Sequence, residues 1–191
     1  IVPESDILRM WKQIEVPNLY YELYNDIYIV YPHEEYPLKP IFNLYLDEEF
    51  LNFNQDNPNH EYNLSQHCYE CCKALEKYKS NEFNYPFMKE VALLHDIGKM
   101  FTKTYTDYKG NHSDIAHYYG HEHVSAYESL FYQVMIENGI EFKSTMLDRA
   151  NIIDWHMKPY YMNKDKINEK IKQPWFVESL YVFHEADKMA H

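Results

Sequence analysis

The sequence predicts an all-α domain, and three observations carry that prediction. From Asn63 onward apolar residues recur at i, i+3 and i+4; capping residues and prolines stand where such helices would begin; and one short run, Asp26-Ile27-Tyr28-Ile29-Val30-Tyr31, is β-like.

Taken in order, Pro3 to Ile14 reads as a short helix whose apolar face is Ile7, Leu8, Met10, Trp11 and Ile14, ended by Pro17. Residues 20–46 are Tyr-rich and broken by Pro32, Pro37 and Pro40, which predicts one or two short strands or extended segments. Leu46 to Phe53 predicts a helical turn leading into the loop Gln55-Asp56-Asn57-Pro58-Asn59-His60. Asn63 or Ser65 then caps a helix running to about Tyr78, with Leu64, His67, Cys68, Cys71, Cys72 and Leu75 on one face. Pro86 suits the first turn of a second helix, Phe87 to Leu94, which delivers His95-Asp96 at its end, where Gly98 is expected to let the last turn unwind. Residues 102–118 are polar, contain Gly110 and predict a long functional loop. Gly120-His121-Glu122-His123 opens a helix to about Glu137, closed by Asn138-Gly139. Another runs from Ser144 to Met157 and stops at Pro159, and a last one starts near Pro174 and runs to the end. The predicted organisation is an N-terminal extension over 1–54, linker-like or packed on the core, and a helical domain over 55–191.

The 191 residues are 46% hydrophobic, enough to bury a core, and only four are glycine. A net charge of −12 is the opposite of a phosphate-backbone binder's footprint, so long nucleic acid is disfavoured as a tightly held partner. The same acidity suits a pocket that concentrates cations. The apolar runs fall far short of a membrane span, and the start, Ile1-Val2-Pro3-Glu4-Ser5-Asp6, is not a signal peptide. Cys68, Cys71 and Cys72, clustered and odd in number, are no disulfide framework and predict a cytoplasmic location. Lacking an initial Met, the chain is expected to belong to a longer multidomain protein; its oligomeric state is open.

Eleven histidines are the chemical signal. His67 sits on the first core helix, His95-Asp96 end the second, His121 and His123 open the third, His156 lies near the end of the fourth, and Asp187 is on the last. Helical bundles build metal sites in this way, with ligands from several helices. Imidazole with carboxylate suits Mn, Fe, Co, Ni or Zn; Mg, which usually takes all-oxygen sites, stays a candidate.

In this order and spacing, over some 70% of the chain from about Gln55 to His191, the sequence resembles the HD-domain metal-dependent phosphohydrolases. His67 stands as the first histidine, His95-Asp96 as the eponymous pair and Asp187 as the final aspartate. Gly120-His121-Glu122, Trp155-His156-Met157-Lys158-Pro159 and the lead-in from Gln55 to His67 are similar to the HD domain attached to bacterial tRNA nucleotidyltransferases. Glu4 to Pro17 faintly resembles the linker of kinase–HD multidomain proteins, although the chain carries no phosphate-binding Gly-x-x-x-x-Gly-Lys-Ser/Thr motif. The resemblance implies a helical HD fold and a divalent metal held by His67, His95, Asp96 and Asp187, with His121 and His156 in the places that add a second ion. Asp96 would bridge the two, metal-bound hydroxide would attack phosphorus, and Lys99 would contact a phosphate oxygen.

For several residues an ordinary structural role competes. Lys99 has the alternative of an exposed lysine, Glu122 of a solvated helix start rather than an orienting partner, and Cys71 is better read as a small buried hydrophobe. One of His121 and His123 is expected to lie outside the ligand set. Arg149 and Lys158 are candidate phosphate contacts whose default is a solvated face, and His33, His60, His112, His117, His184 and His191 receive no role. The expected activity is hydrolysis of a phosphomonoester or phosphodiester of a nucleotide or an RNA end, of the 2′,3′-cyclic phosphodiesterase or phosphatase type. The alternatives are a non-catalytic metal- or nucleotide-binding module, or a helical scaffold in a larger RNA-processing protein.

Overall fold

The computed structural model describes residues 16–18, 20, 38–79, 85–133 and 143–190. The helix expected over Pro3–Ile14, the β-like run Asp26–Tyr31, the Asn138-Gly139 stop and His191 lie outside the described residues. Within them the chain is mostly helical: β1 (Lys39–Pro40), α1 (Ile41–Leu44), α2 (Glu48–Leu51), α3 (Leu64–Ala74) with a 3-10 turn Leu75–Tyr78, α4 (Tyr85–Leu94), α5 (Lys99–Thr102), β2 (Thr104–Thr106), β3 (His112–His117), α6 (His121–Ser129), β4 (Tyr132–Gln133), α7 (Lys143–Trp155), a 3-10 turn Lys158–Tyr160, α8 (Lys164–Lys170) and α9 (Pro174–Met189). No helix among the described residues is long and apolar enough to cross a membrane.

Local chemistry explains most of these boundaries. Asn63, rather than Ser65, caps α3 by accepting a hydrogen bond from the Gln66 amide at 2.8 Å, and Asp47 does the same for α2. Pro86 and Pro174 each occupy a first turn, where the missing N–H costs nothing. α3 turns Leu64, Cys68, Cys71, Cys72 and the following Leu75 inward, and α9 answers with Phe176, Val177, Leu180 and Phe183. Fully burying each of the larger side chains contributes roughly 1.5–3 kcal/mol. α3 packs on α4 and α9, α6 on α7, and α7 back on α4, so a single core runs through the described residues. Val16, Ile41, Leu44 and Phe50 join that core, so the described part of the extension packs on it rather than trailing as a linker.

Three expectations are corrected. The polar stretch 102–118 is an antiparallel hairpin, β2 pairing β3 with Thr104 opposite His117 and Thr106 opposite His112. The helix opened by His121 ends at Ser129, because Tyr132–Gln133 leaves it to pair in parallel with Lys39–Pro40. α8, capped by the Asn163 side chain on the Lys166 amide at 3.0 Å, lies between Pro159 and Pro174 where no helix was expected.

Gly98 also serves a different end from the one foreseen. Its φ is −61°, ordinary right-handed backbone, so no left-handed turn needs it. A Cβ there would instead collide with the His121 carbonyl oxygen and stand 2.6 Å from the Ser125 nitrogen. The Gly98 N–H donates to Ser125 Oγ at 2.8 Å, so glycine permits the turn after α4 to lie directly against the start of α6.

Candidate metal centre

Five elements deliver six side chains to one buried point: His67 from α3, His95 and Asp96 from the turn after α4, His121 from α6, His156 from the end of α7 and Asp187 from α9. Adjacent residues on a helix diverge by about 100°, but His95 and Asp96 lie past the last residue of α4 in a run of tight turns, which frees them to converge. Asp187 follows Phe176, Leu180 and Phe183 along the inward stripe of α9, so the core face that buries the phenyl rings also aims the carboxylate.

The donors fall into two sets joined by one carboxylate. Asp96 Oδ2 lies 3.3 Å from His67 Nε2 and 3.4 Å from His95 Nε2, and Asp187 Oδ1 lies 3.1 and 3.5 Å from the same two nitrogens. The other oxygen, Asp96 Oδ1, faces His121 Nε2 at 3.3 Å and His156 Nε2 at 3.7 Å. His67, His95 and Asp96, and separately Asp96, His121 and His156, each present ligand atoms within 4.8 Å of one another. Asp96 Oδ1 is buried and has no hydrogen-bond partner among the described residues, a costly state that a cation would relieve.

The backbone orients the imidazoles. His95 Nδ1 lies 2.8 Å from the Ala92 carbonyl, His121 Nδ1 2.7 Å from that of Tyr118 and His156 Nδ1 2.6 Å from that of Ile153, each three residues earlier; His67 Nδ1 lies 3.0 Å from the Ala190 carbonyl. A carbonyl can only accept, so each Nδ1 carries a proton and each Nε2 is the nitrogen turned to the centre, the orientation metal-binding histidines adopt. Tyr160 Oη donates to Asp187 Oδ2 at 2.8 Å and orients that carboxylate in the same way.

Electrostatics separate the two sets. Burial favours neutral His67, but Asp187 and Asp96 outweigh it and hold the imidazole up to about 9. Burial likewise opposes a charge on His95, and Asp96 overrides it to raise the ring well above its ordinary value. Both carboxylates are held well below the usual range despite burial, Asp96 first by His95 and Lys99, Asp187 by His67 and His95. For His156, burial and then the charges on His95 and His121 act together and push it down to about 4.

The remaining expected residues divide. Lys99 is 4% exposed rather than solvated; its Nζ lies 2.7 Å from Asp96 Oδ2 and donates to Gln55 Oε1 at 2.8 Å, on the wall of the same pocket. Glu122 Oε2 lies 3.6 Å from His121 Nδ1, beside the ligand set. His123 turns away from the centre: its Nδ1 pairs with Asp154 Oδ1 at 2.6 Å, and it lines a separate cavity of about 380 Å³ together with Lys158. Arg149 is corrected outright. It is fully buried, with its guanidinium 2.7 Å from Glu90 Oε2 and from the Ser129 carbonyl and 2.6 Å from the Tyr132 carbonyl, so it ties α4, α6 and β4 together and does not line the pocket. Cys71 is fully buried, as a small hydrophobe would be.

A pocket of about 460 Å³ opens over five of the donors, His67, Asp96, His121, His156 and Asp187, with His95 buried behind them. Its rim brings in residues that sequence reasoning left without a role: His60, whose Nε2 lies 3.5 Å from Lys99 Nζ, with His117, Tyr119 and Tyr160. They come from a loop, a hairpin and a 3-10 turn, and the one signal for them was the length of those polar segments. No protein-family model, curated protein or solved structure matches the chain.

Proposed function

We propose that the chain is a metal-dependent phosphohydrolase of the HD type, acting on a phosphomonoester or phosphodiester of a nucleotide or an RNA end. The observation that carries this reading is the convergence of four Nδ1-anchored imidazoles and two carboxylates, with Asp96 offering one oxygen to each set. The donor chemistry fits Mn, Fe, Co, Ni or Zn better than Mg. His67, His95, Asp96 and Asp187 would hold one ion, and Asp96, His121 and His156 a second with room left for water and substrate, as catalytic sites require. When bound, such a pair supplies Lewis acidity and an activated water at neutral pH.

The protein's own part is positioning. The backbone carbonyls fix which imidazole nitrogen faces the centre, and Tyr160 fixes Asp187. The buried Lys99 ammonium places a positive charge at the pocket wall, where a phosphoryl oxygen would sit beside Asp96. The donors are all buried, and the lower dielectric around buried groups strengthens each of these interactions.

Metal analysis of the purified chain, paired with a small phosphoester panel, tests the reading. At least one transition-metal ion per chain is expected, with hydrolysis of bis-p-nitrophenyl phosphate, 2′,3′-cyclic AMP or a mononucleotide after loading with Mn or Ni. Less than one ion per chain would sink the metal centre. Full loading without turnover would leave a metal- or nucleotide-binding module instead.

A further inference from the structure

The pocket above the donors has two unlike ends. One is Lys99 on Asp96. At the other, on the hairpin side, the rings of His117 and Tyr119 stack on each other, centroids 5.4 Å apart and planes within 8°. Tyr119 is 41% exposed and lines the pocket, so an aromatic side chain backed by a second ring is left accessible at the pocket edge. The strand end that carries the pair is tied down at several points. His117 Nε2 lies 3.0 Å from Ser113 Oγ across β3. The neighbouring Ala116 is tied to the Asp56-Asn57 loop twice, its amide donating to the Asp56 carbonyl at 2.8 Å and its carbonyl accepting from Asn57 Nδ2 at 3.0 Å. Tyr118, between the stacked rings in sequence, hydrogen-bonds the Gln55 carbonyl and lies under the Lys99 ammonium at 5.4 Å. The ring surface is therefore held at a set distance from the phosphate end by the same loop that carries Gln55 and His60.

Charge limits what fits between these ends. Among the described residues lining the pocket, Lys99 supplies the one ammonium, and the remaining polar lining beyond the donors is amide, imidazole and phenol, on a chain of net charge −12. One phosphate is therefore matched at Lys99 and the donor centre, while beyond them none of the described lining residues offers a fixed cation to a further phosphate. The volume of about 460 Å³ lies within the range for small-molecule sites.

We infer that Tyr119, backed by His117, is a stacking platform for the planar ring of a nucleoside monophosphate whose phosphate sits at Lys99 and the donor centre. The inference rests on the proposed phosphohydrolase reading and adds the ring, the single phosphate and the residue that selects them. Stacking of a base on an aromatic side chain changes binding by roughly 5- to 150-fold.

Calorimetric titration of the Mn-loaded full chain with adenosine 5′-O-thiophosphate, ribose 5-phosphate and inorganic phosphate tests it. The nucleotide is expected to bind at least about fivefold more tightly than ribose 5-phosphate. Tyr119→Ala should remove that preference while leaving inorganic phosphate binding and the far-ultraviolet circular dichroism unchanged, and Tyr119→Phe should keep it. Equal binding of nucleotide and ribose 5-phosphate to the wild-type chain, with phosphate still bound, overturns the platform and leaves the metal centre standing. A preference that survives Tyr119→Ala overturns the assignment to Tyr119. Failure of all three ligands to bind overturns the phosphate end, and the platform with it.

Discussion

The two donor sets share Asp96 yet sit in opposite electrostatic states. His67 and His95 face two carboxylate oxygens, from Asp96 and Asp187, and hold protons far above the usual histidine range, His67 up to about 9. His156, on the other side of Asp96, shares one carboxylate oxygen with His121 and is pushed down to about 4. The difference shows how one fold makes two kinds of site from the same residue types. The first is rich in negative charge and satisfies itself with protons until a cation displaces them. In the second, burial keeps the proton off His156, its Nε2 faces Asp96 Oδ1, and fewer protein donors are offered.

The largest effect is expected where the sets meet. Asp96→Ala removes an oxygen from both, so both ions and all turnover should be lost with helicity retained. The fall in metal affinity should exceed the roughly 10- to 100-fold that loss of an outer hydrogen-bond partner costs. His156→Ala should sharpen the contrast by leaving about one ion per chain, as metal analysis would show; emptying of both sites by that substitution would break it. A smaller effect concerns pH in the metal-free protein. His67 is raised from 6.5 to about 9, so its contribution is complete below pH 6.5 and is lost as pH rises to about 9, on the order of 3 kcal/mol. His156 is lowered from 6.5 to about 4, so its contribution is present above pH 6.5 and is lost as pH falls towards 4. Thermal melts of the metal-free chain should therefore peak near pH 6.5, and metal addition at pH 7–8 should release protons. A melting temperature that climbs steadily to pH 9 would contradict the assignment of the protonated set. The smallest effect is expected of Tyr160→Phe, which leaves Asp187 in place but removes the 2.8 Å bond to its Oδ2. Metal affinity should fall by about tenfold in competition with a chelator.

Much of this was legible in the sequence, because helices announce themselves locally. Asn63 and Pro86 marked helix starts, and His67 and Asp187 lay on apolar stripes whose direction the periodicity already set. The errors fall where distant partners decide. α6 stops at Ser129 because Tyr132–Gln133 pairs with Lys39–Pro40, some ninety residues away, and no local signal encodes that strand. The hairpin Thr104–His117 has exposed polar strands, so alternation was too weak to separate it from a loop. Asn163-Lys164-Asp165 did carry a capping signal, overlooked because the helix behind it is polar apart from Ile167. Arg149 looked like a surface cation because nothing in its neighbours reveals that Glu90 and two carbonyls wait for it in the interior.

The contact at Gly98 has a dynamic consequence. The turn carrying His95 and Asp96 lies against the first turn of the helix carrying His121 with no Cβ at Gly98 to hold them apart, fastened by Gly98 N–H on the Ser125 hydroxyl. Two segments in such contact are expected to open together, and amide hydrogen exchange at Gly98 and across His121–Ser125 should then show matching protection. The distance between the two donor sets is then a property of main-chain packing, set before any ligand arrives.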